Sequence, residues 1–308
     1  MANKIIIAGG RGFVGSRLSE FLLPKKYEVI ILTRNFAASE QSTSDSVKYV
    51  KWDAQTSDGW LEYAENATAI INLAGENIGS GLWTARKKKR ILNSRLNAGK
   101  AITDAVKKAN SKPKVVIQAS GIGYYGNTGD RIVDESSPNG TGFLADIGRE
   151  WEQSVQEVNN YDVRLAILRF GVVLGKDGGF LDRATLPFRF FIGGHLGSGE
   201  QWISWIHIED LVRIIEFMIQ KENLEGIYNV TSPDPVKSKQ FFRTIGKVMQ
   251  RPSIFPVPSF ILKIVLGEMA NELILSGQRV SSKKLLDANY QFVYEELNDA
   301  LKDILEEN

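Results

Sequence analysis

A β-branched run, Lys4-Ile5-Ile6-Ile7-Ala8, passes without a break into Gly9-Gly10-Arg11-Gly12-Phe13-Val14-Gly15, and an amphipathic segment from Phe13 to Leu23 follows until Pro24 stops it. That is strand, glycine turn and helix in immediate succession. Gly9, Gly12 and Gly15 lie three apart, and Gly10 to Gly15 also satisfies GxGxxG. In this context the pattern has a physical meaning. Glycines let backbone approach a pyrophosphate, and a helix N-terminus offers unbonded N–H groups and a positive dipole. Gly9, Gly10, Arg11, Gly12, Phe13, Val14 and Gly15 are therefore the first cofactor-binding candidates.

The same rhythm continues. Glu28 to Leu32, Val47 to Trp52, Ala69 to Leu73, Lys114 to Ala119 and Arg164 to Phe170 read as buried strands. They alternate with helical stretches, the longest from about Trp83 to Ala109, and another around Leu144 to Val158. Such alternation predicts an α/β fold with a doubly wound parallel sheet covered on both faces. Past residue 175 glycine pairs and prolines take over, although a helix from Glu209 to Ile219 and a strand from Ile227 to Val230 return to the sheet. The reading is a doubly wound domain over 1–175 and 206–230, with a smaller lobe over 176–205 and 231–308.

Which dinucleotide the turn takes depends on the end of the second strand. NAD-specific folds place a carboxylate there, about twenty residues past the turn, to grip the ribose hydroxyls. This chain has Thr33-Arg34-Asn35 instead. A guanidinium suits a 2′-phosphate through charge-assisted hydrogen bonds, so NADP(H) is favoured over NAD(H). Arg11 either reinforces that clamp or stands in solvent. Asp53, after the third strand, is either an acceptor for the adenine amine or a loop cap.

Composition narrows the remaining chemistry. Among 308 residues there is no cysteine and only His195 and His207, which excludes thiol nucleophiles, disulfides and multi-histidine metal sites. Thirty-eight Lys and Arg balance 36 Asp and Glu. A net charge of +2 gives no whole-protein reason to expect nucleic acid or an anionic membrane as partner, and a small-molecule substrate is expected instead. Five consecutive cations, Arg86 to Arg90, read as a solvated helix face. No apolar run approaches a membrane span, no signal peptide is read, and a cytoplasmic location is expected.

With these residues placed, the sequence resembles the extended short-chain dehydrogenase/reductases, in an atypical epimerase-like branch often named nucleoside-diphosphate-sugar epimerase family proteins. The resemblance covers nearly the whole chain. It rests on AGGRGFVG at 8–15, NLAGENI at 72–78, Ser94-Arg95, SGIGYYG at 120–126, RFGVVLG at 169–175, GSGEQWISWIHIEDL at 197–211, and a tail with LGE and GQRV. It implies that the domain over 1–175 and 206–230 is an NADP-binding Rossmann domain and that 176–205 and 231–308 form the substrate lobe, with further cofactor contacts at Leu73, Ala74, Glu76 and Arg95.

Active members of that family use a Ser and a Tyr-x-x-x-Lys pair for proton transfer beside the nicotinamide. Here the resemblance puts Gly121 at the serine position, after Ser120, with Phe143 and Ile147 where the tyrosine and lysine stand. A phenyl ring donates no proton, and Ile147 neither tunes a pKa nor bonds a ribose. Ser120, Tyr124 and Tyr125 remain as catalytic candidates, the tyrosines equally readable as packing. Trp202-Ile203-Ser204 replaces an arginine-bearing segment of sugar-nucleotide members. Trp202 and Trp205, near Phe188, Phe190 and Phe191, suit either an apolar ligand or lobe packing. His207 reads as structural. The leading expectation is an NADP(H)-binding oxidoreductase or epimerase-like enzyme acting on a carbonyl, alcohol or sugar-like substrate. The alternative is a catalytically silent NADP-binding sensor or partner-binding protein.

Overall fold

The computed structural model describes residues 3–34, 47–176 and 178–306. Seven strands form one parallel sheet: β1 (Asn3–Ala8), β2 (Tyr27–Thr33), β3 (Val47–Lys51), β4 (Ala69–Asn72), β5 (Val115–Gly121), β6 (Arg164–Phe170) and β7 (Gly226–Val230). Their order across the sheet is β7-β6-β5-β4-β1-β2-β3. The chain therefore winds one way from β1 to β3 and the other way from β4 to β7. Ligands of such sheets bind where the winding reverses, here between β1 and β4 at the carboxyl ends of the strands.

The sequence runs are apolar on consecutive positions because both faces of the sheet are covered. Ile5, Ile7, Val29 and Ile31 pack with Leu18 and Leu22 of α1 (Phe13–Leu22) and with Leu211 and Ile215 of the helix Ile208–Gln220. Ile6, Ile30, Ile70 and Val116 point the other way, onto Ala98, Ala101, Ile102 and Ala105 of the long helix Ala85–Lys108. Each fully buried isoleucine contributes roughly 1.5–3 kcal/mol. Register locks the edge that matters: Ala8 pairs with Leu32 on one side and Asn72 on the other.

The helices after α1 are α2 (Leu61–Ala64), α3 (Ala85–Lys108), α4 (Phe143–Gln153), α5 (Leu181–Arg189), α6 (Ile208–Gln220), α7 (Ser238–Met249), α8 (Ser259–Leu266), α9 (Lys283–Asp287) and α10 (Leu297–Leu305). Thr84 caps α3 by accepting the Lys87 N–H at 3.2 Å. Small residues let α3 sit close to its neighbours: a Cβ on Gly99 would stand 2.0 Å from Ser154 Oγ.

Helices α5, α7 and α10 close a separate core around Phe188, Trp205, Phe241, Phe242 and Ile245. Trp205 and Phe188 are thus interior packing of the lobe. Among the described residues no helix is long and apolar enough to cross a membrane.

Candidate active site at the carboxyl edge of the sheet

The glycine turn occupies the end of β1, at the reversal point. Gly9 has φ +82° and a Cβ there would lie 2.8 Å from the backbone of Leu73, so only glycine lets β1 exit against the loop after β4. Gly15 packs on the turn itself, with a Cβ position 2.4 Å from Gly9 O. Gly12 differs from both. Its φ is ordinary, its Cβ position meets only Gly9 O at 3.3 Å, and as N-cap of α1 it brings no side-chain acceptor to the first-turn N–H groups. Those donors, with Phe13 and Val14 opening the helix, fit a pyrophosphate.

Arginines flank the turn on the β2–β3 side. Arg11 lies over the Tyr49 ring at 5.0 Å. Thr33 is buried as the last residue of β2, and Arg34 beyond it is exposed. Asn35 lies outside the described residues. Asp53 caps its own loop, accepting from Gln55 N–H at 2.7 Å and Thr56 N–H at 2.8 Å. The Thr56 and Gln55 N–H groups hold its carboxyl below the usual range, and the side chain remains exposed.

The loop after β4 forms the opposite wall. Leu73 N–H continues the ladder to Ala8 O at 2.9 Å, and Ala74 N–H donates to Asn72 Oδ1 at 3.1 Å. Asn72 in turn donates to Gln118 Oε1 at 2.9 Å, both side chains fully buried at paired positions of β4 and β5. Arg95 reaches this loop from α3: Nη1 donates to Glu76 O and Ile91 O at 3.0 Å each, and its guanidinium lies 4.7 Å over Trp151. Burial pulls Arg95 down to about 10 against the opposing charge of Glu76. Glu76 accepts from Lys87 Nζ at 2.7 Å, a bond that with the charges of Lys87, Arg90 and Arg34 holds its carboxyl low. Lys87 is buried, so the cationic run is not uniformly a solvated face. One of its five members turns inward, and Lys88 lies 4.4 Å over the Phe143 ring.

The catalytic candidates separate into two kinds. Ser120 Oγ donates to Glu152 Oε1 at 2.7 Å. Arg169 Nε and Nη2 donate to the two oxygens of the same carboxylate, each at 2.7 Å, and Nη1 donates to the Tyr125 hydroxyl at 2.9 Å. Tyr125 in turn donates to Asn229 Oδ1 at 2.7 Å, and burial pushes its phenol up to about 12. Ser120, Glu152, Arg169, Tyr125 and Asn229 are all buried, so these hydroxyls belong to a closed network that ties β5, β6, β7 and α4 together. Tyr124 stands apart. Its ring stacks on Arg169 at 3.5 Å, it is half-buried, and its hydroxyl bonds to no described residue.

Phe143 and Ile147, one turn apart on α4, join Trp83, Ile91 and Met269 in an apolar cluster, Phe143 meeting Trp83 edge-on at 4.9 Å. Glu272 caps this helix from the C-terminal region, accepting the Leu144 N–H at 3.2 Å. Beside that junction a cavity of about 510 Å³ opens, flanked by Gly123 and Gly126 around the two tyrosines. Asn127, Gln201, Asn271 and Gln278 line it with Ser198, Ser276, Lys263 and Glu272. None of the aromatic residues weighed for an apolar ligand is there: Phe190 and Phe191 face outward, and Trp202 donates to Asp130 at 2.7 Å on the surface.

Sequence reasoning passed over Glu152, Arg169 and the amides of the cavity. Arg169 carried a signal, since a charge inside the buried strand RLAILRF needs a partner. The amides come from segments distant in sequence and carried none.

Similarity to known proteins agrees with this layout. The sequence model described as NAD dependent epimerase/dehydratase family matches residues 5–231, and one described as a domain of unknown function, DUF1731, matches 257–304. The chain is 38% identical to the Bacillus subtilis epimerase family protein YfhF, over 98% of each chain. It is also 38% identical to the chloroplastic SDR39U1 homolog of Arabidopsis thaliana, over 98% of this chain and 86% of that protein. The crystal structure of human epimerase family protein SDR39U1 (isoform 2), solved with NADPH, superposes with a TM-score of 0.89 at 31% identity, covering 98% and 99% of the two chains. A glycine cradle at the reversal of a seven-stranded sheet and these full-length matches lead to one conclusion: the chain belongs to the NAD dependent epimerase/dehydratase family, among the epimerase family proteins similar to YfhF and SDR39U1.

Proposed function

We propose that this protein binds NADP(H) at the carboxyl edge of its sheet and acts, as an oxidoreductase of the epimerase kind, on a small polar carbonyl, alcohol or sugar-like compound seated in the 510 Å³ cavity. The observation that carries the reading is the cradle at Gly9–Gly15, whose helix N-terminus has no side-chain cap. In this reading the first-turn N–H groups of α1 hold the pyrophosphate, and Arg11 and Arg34 hold the 2′-phosphate. Leu73, Ala74, Glu76 and Arg95 form the wall behind the dinucleotide, with Asp53 at its adenine end. The bound dinucleotide supplies the redox chemistry. NADPH bound by the human relative supports the choice of NADP(H). The amides of the cavity, with Lys263 and Glu272 beside them, support a polar substrate, and Tyr124, next in sequence to the lining Gly123 and outside the buried network, is the hydroxyl assigned to meet it. The test titrates the protein with NADPH and NADH and repeats it with Arg34→Glu. Binding of NADPH that this substitution leaves unchanged defeats the cofactor assignment.

A catalytically silent NADP-binding sensor is the second reading, favoured by the commitment of Ser120 and Tyr125 to the buried network and by the apolar pair Phe143 and Ile147. Product analysis separates the two, because internal epimerisation consumes no net NADPH. Any converted substrate removes the silent reading.

A further inference from the structure

The outer surface of the C-terminal lobe carries exposed apolar side chains. Phe190, Phe191 and Ile192 at the end of α5 are 68%, 55% and 58% exposed, and Phe260, Ile264 and Val265 of α8 are 62%, 79% and 59% exposed. The segment leading into α8 joins the two groups. Phe255 N–H donates to Gly193 O at 3.0 Å, Val257 N–H to His195 O at 2.9 Å, and Arg251 lies 4.5 Å over the Phe191 ring. Of α8 only Leu262 is buried, so this helix turns most of an apolar sequence outward. Ile254 and Phe255 of the segment leading into α8 are exposed as well. An exposed apolar surface of this kind marks an interaction site.

Its charge selects the occupant. Between Asp182 and Glu200, and again between Asp234 and Glu268, the sequence has eight Lys and Arg and no Asp or Glu. Arg189, Arg251 and Lys263 stand exposed within the apolar segments themselves. A second copy docked by a two-fold axis would set this patch against itself, cation facing cation. A surface that is apolar inside and negatively charged outside matches both properties. We infer that this face docks on an anionic phospholipid bilayer, with the side chains of α8 and the end of α5 in the acyl boundary and the cations at the headgroups. The near-neutral whole-chain charge conceals the patch because acidic residues are gathered elsewhere. The inference does not rest on the cofactor and substrate reading, and Lys263 of α8 borders both the docking face and the cavity.

Co-sedimentation of the full-length protein with sucrose-loaded vesicles tests it, comparing equal parts phosphatidylglycerol and phosphatidylcholine with phosphatidylcholine alone. The expected result is a preference of at least about tenfold for the anionic vesicles, weakened by salt, since each cation near the surface contributes roughly fivefold. Arg189→Gln with Arg251→Gln should remove most of that preference. Phe260→Ser with Ile264→Ser should lower binding to the anionic vesicles about tenfold or more, with an unchanged melting temperature because both side chains are exposed. Equal sedimentation with both vesicle types, or wild-type binding by the Phe260→Ser, Ile264→Ser variant, overturns the inference. So does a concentration-dependent dimer in sedimentation velocity that this variant abolishes, with no vesicle binding by the wild type; the face is then an interface between copies.

Discussion

Arg169 and Glu152 meet fork to fork, Nε to Oε1 and Nη2 to Oε2 at 2.7 Å each, with both side chains buried. Burial by itself pulls the guanidinium down, but the hydrogen bonds and charge of Glu152 outweigh it and hold Arg169 above its ordinary value. The pair fixes the ends of β6 and α4 beneath the two tyrosines, and so sets the floor of the candidate site.

Breaking that pair should be costly. Glu152→Gln leaves a buried guanidinium without its counter-charge, and unfolding in urea should show a loss of about 3–5 kcal/mol. Ser120→Ala removes only a hydroxyl donor to the same carboxylate and should cost about 1 kcal/mol. Equal losses would mean that the ion pair does not organise this region.

The two tyrosines should respond differently. Tyr125→Phe leaves Asn229 Oδ1 and one Arg169 donor unsatisfied in a dry network, a loss of about 1–3 kcal/mol by denaturant melt. Tyr124→Phe, with no such bond to lose, should keep stability and act on turnover of a substrate once one is found. The reverse pattern would transfer the substrate contact to Tyr125.

Glycines of the turn divide the same way. Gly9→Ala must hold φ +82° and meet the Leu73 backbone, costing about 1–3 kcal/mol from conformation alone. Gly12→Ala has ordinary φ and a single close contact, Gly9 O at 3.3 Å, so its larger expected effect is on ligand: an NADPH Kd raised about tenfold or more as charged hydrogen bonds weaken, with a smaller loss of stability than Gly9→Ala. Calorimetric titration beside a thermal melt reads both.

Arg34→Glu should raise the NADPH Kd roughly tenfold to a hundredfold, the worth of a charged hydrogen bond, and change the NADH Kd far less. Parallel losses for the two dinucleotides would place Arg34 away from the 2′-phosphate.

His207 introduces a pH dependence. Its Nδ1 accepts the Glu209 N–H at 3.1 Å as the cap of α6, while Nε2 is 3.2 Å from Asp303 Oδ2 but off the line of a hydrogen bond. Burial holds its pKa below the ordinary 6.5, against the pull of Asp303. Below pH 6.5 the unfolded chain therefore binds more protons than the folded one, and stability falls as pH drops from there through the folded-state value. His207→Asn keeps a capping acceptor without a titrating ring. The variant should flatten the ΔG-versus-pH slope just below pH 6.5, and an unchanged slope would assign it to carboxylates such as Asp53, which lose their contribution at lower pH.

The sheet, its winding and the cradle were legible because each is local. Aliphatic strands buried on consecutive positions, a glycine turn between the first strand and its helix, and an arginine in place of the usual carboxylate all sit within short windows. Tertiary contacts reassigned residues whose types looked chemical. Ser120 and Tyr125 entered a buried network with Glu152 and Asn229, from 32 and 104 positions away, and Trp205 and Phe188 went into the core of the lobe.

What the sequence determined by itself is the parallel sheet and the place of its cofactor turn, since backbone conformation and strand burial follow from neighbouring residues. Only the tertiary structure decided which hydroxyls are consumed, which of five adjacent cations turns inward to Glu76, and that apolar residues at the end of α5 and on α8 stay exposed. Those outcomes depend on desolvation and hydrogen-bond partners brought from distant segments, and neither quantity exists until the chain has packed.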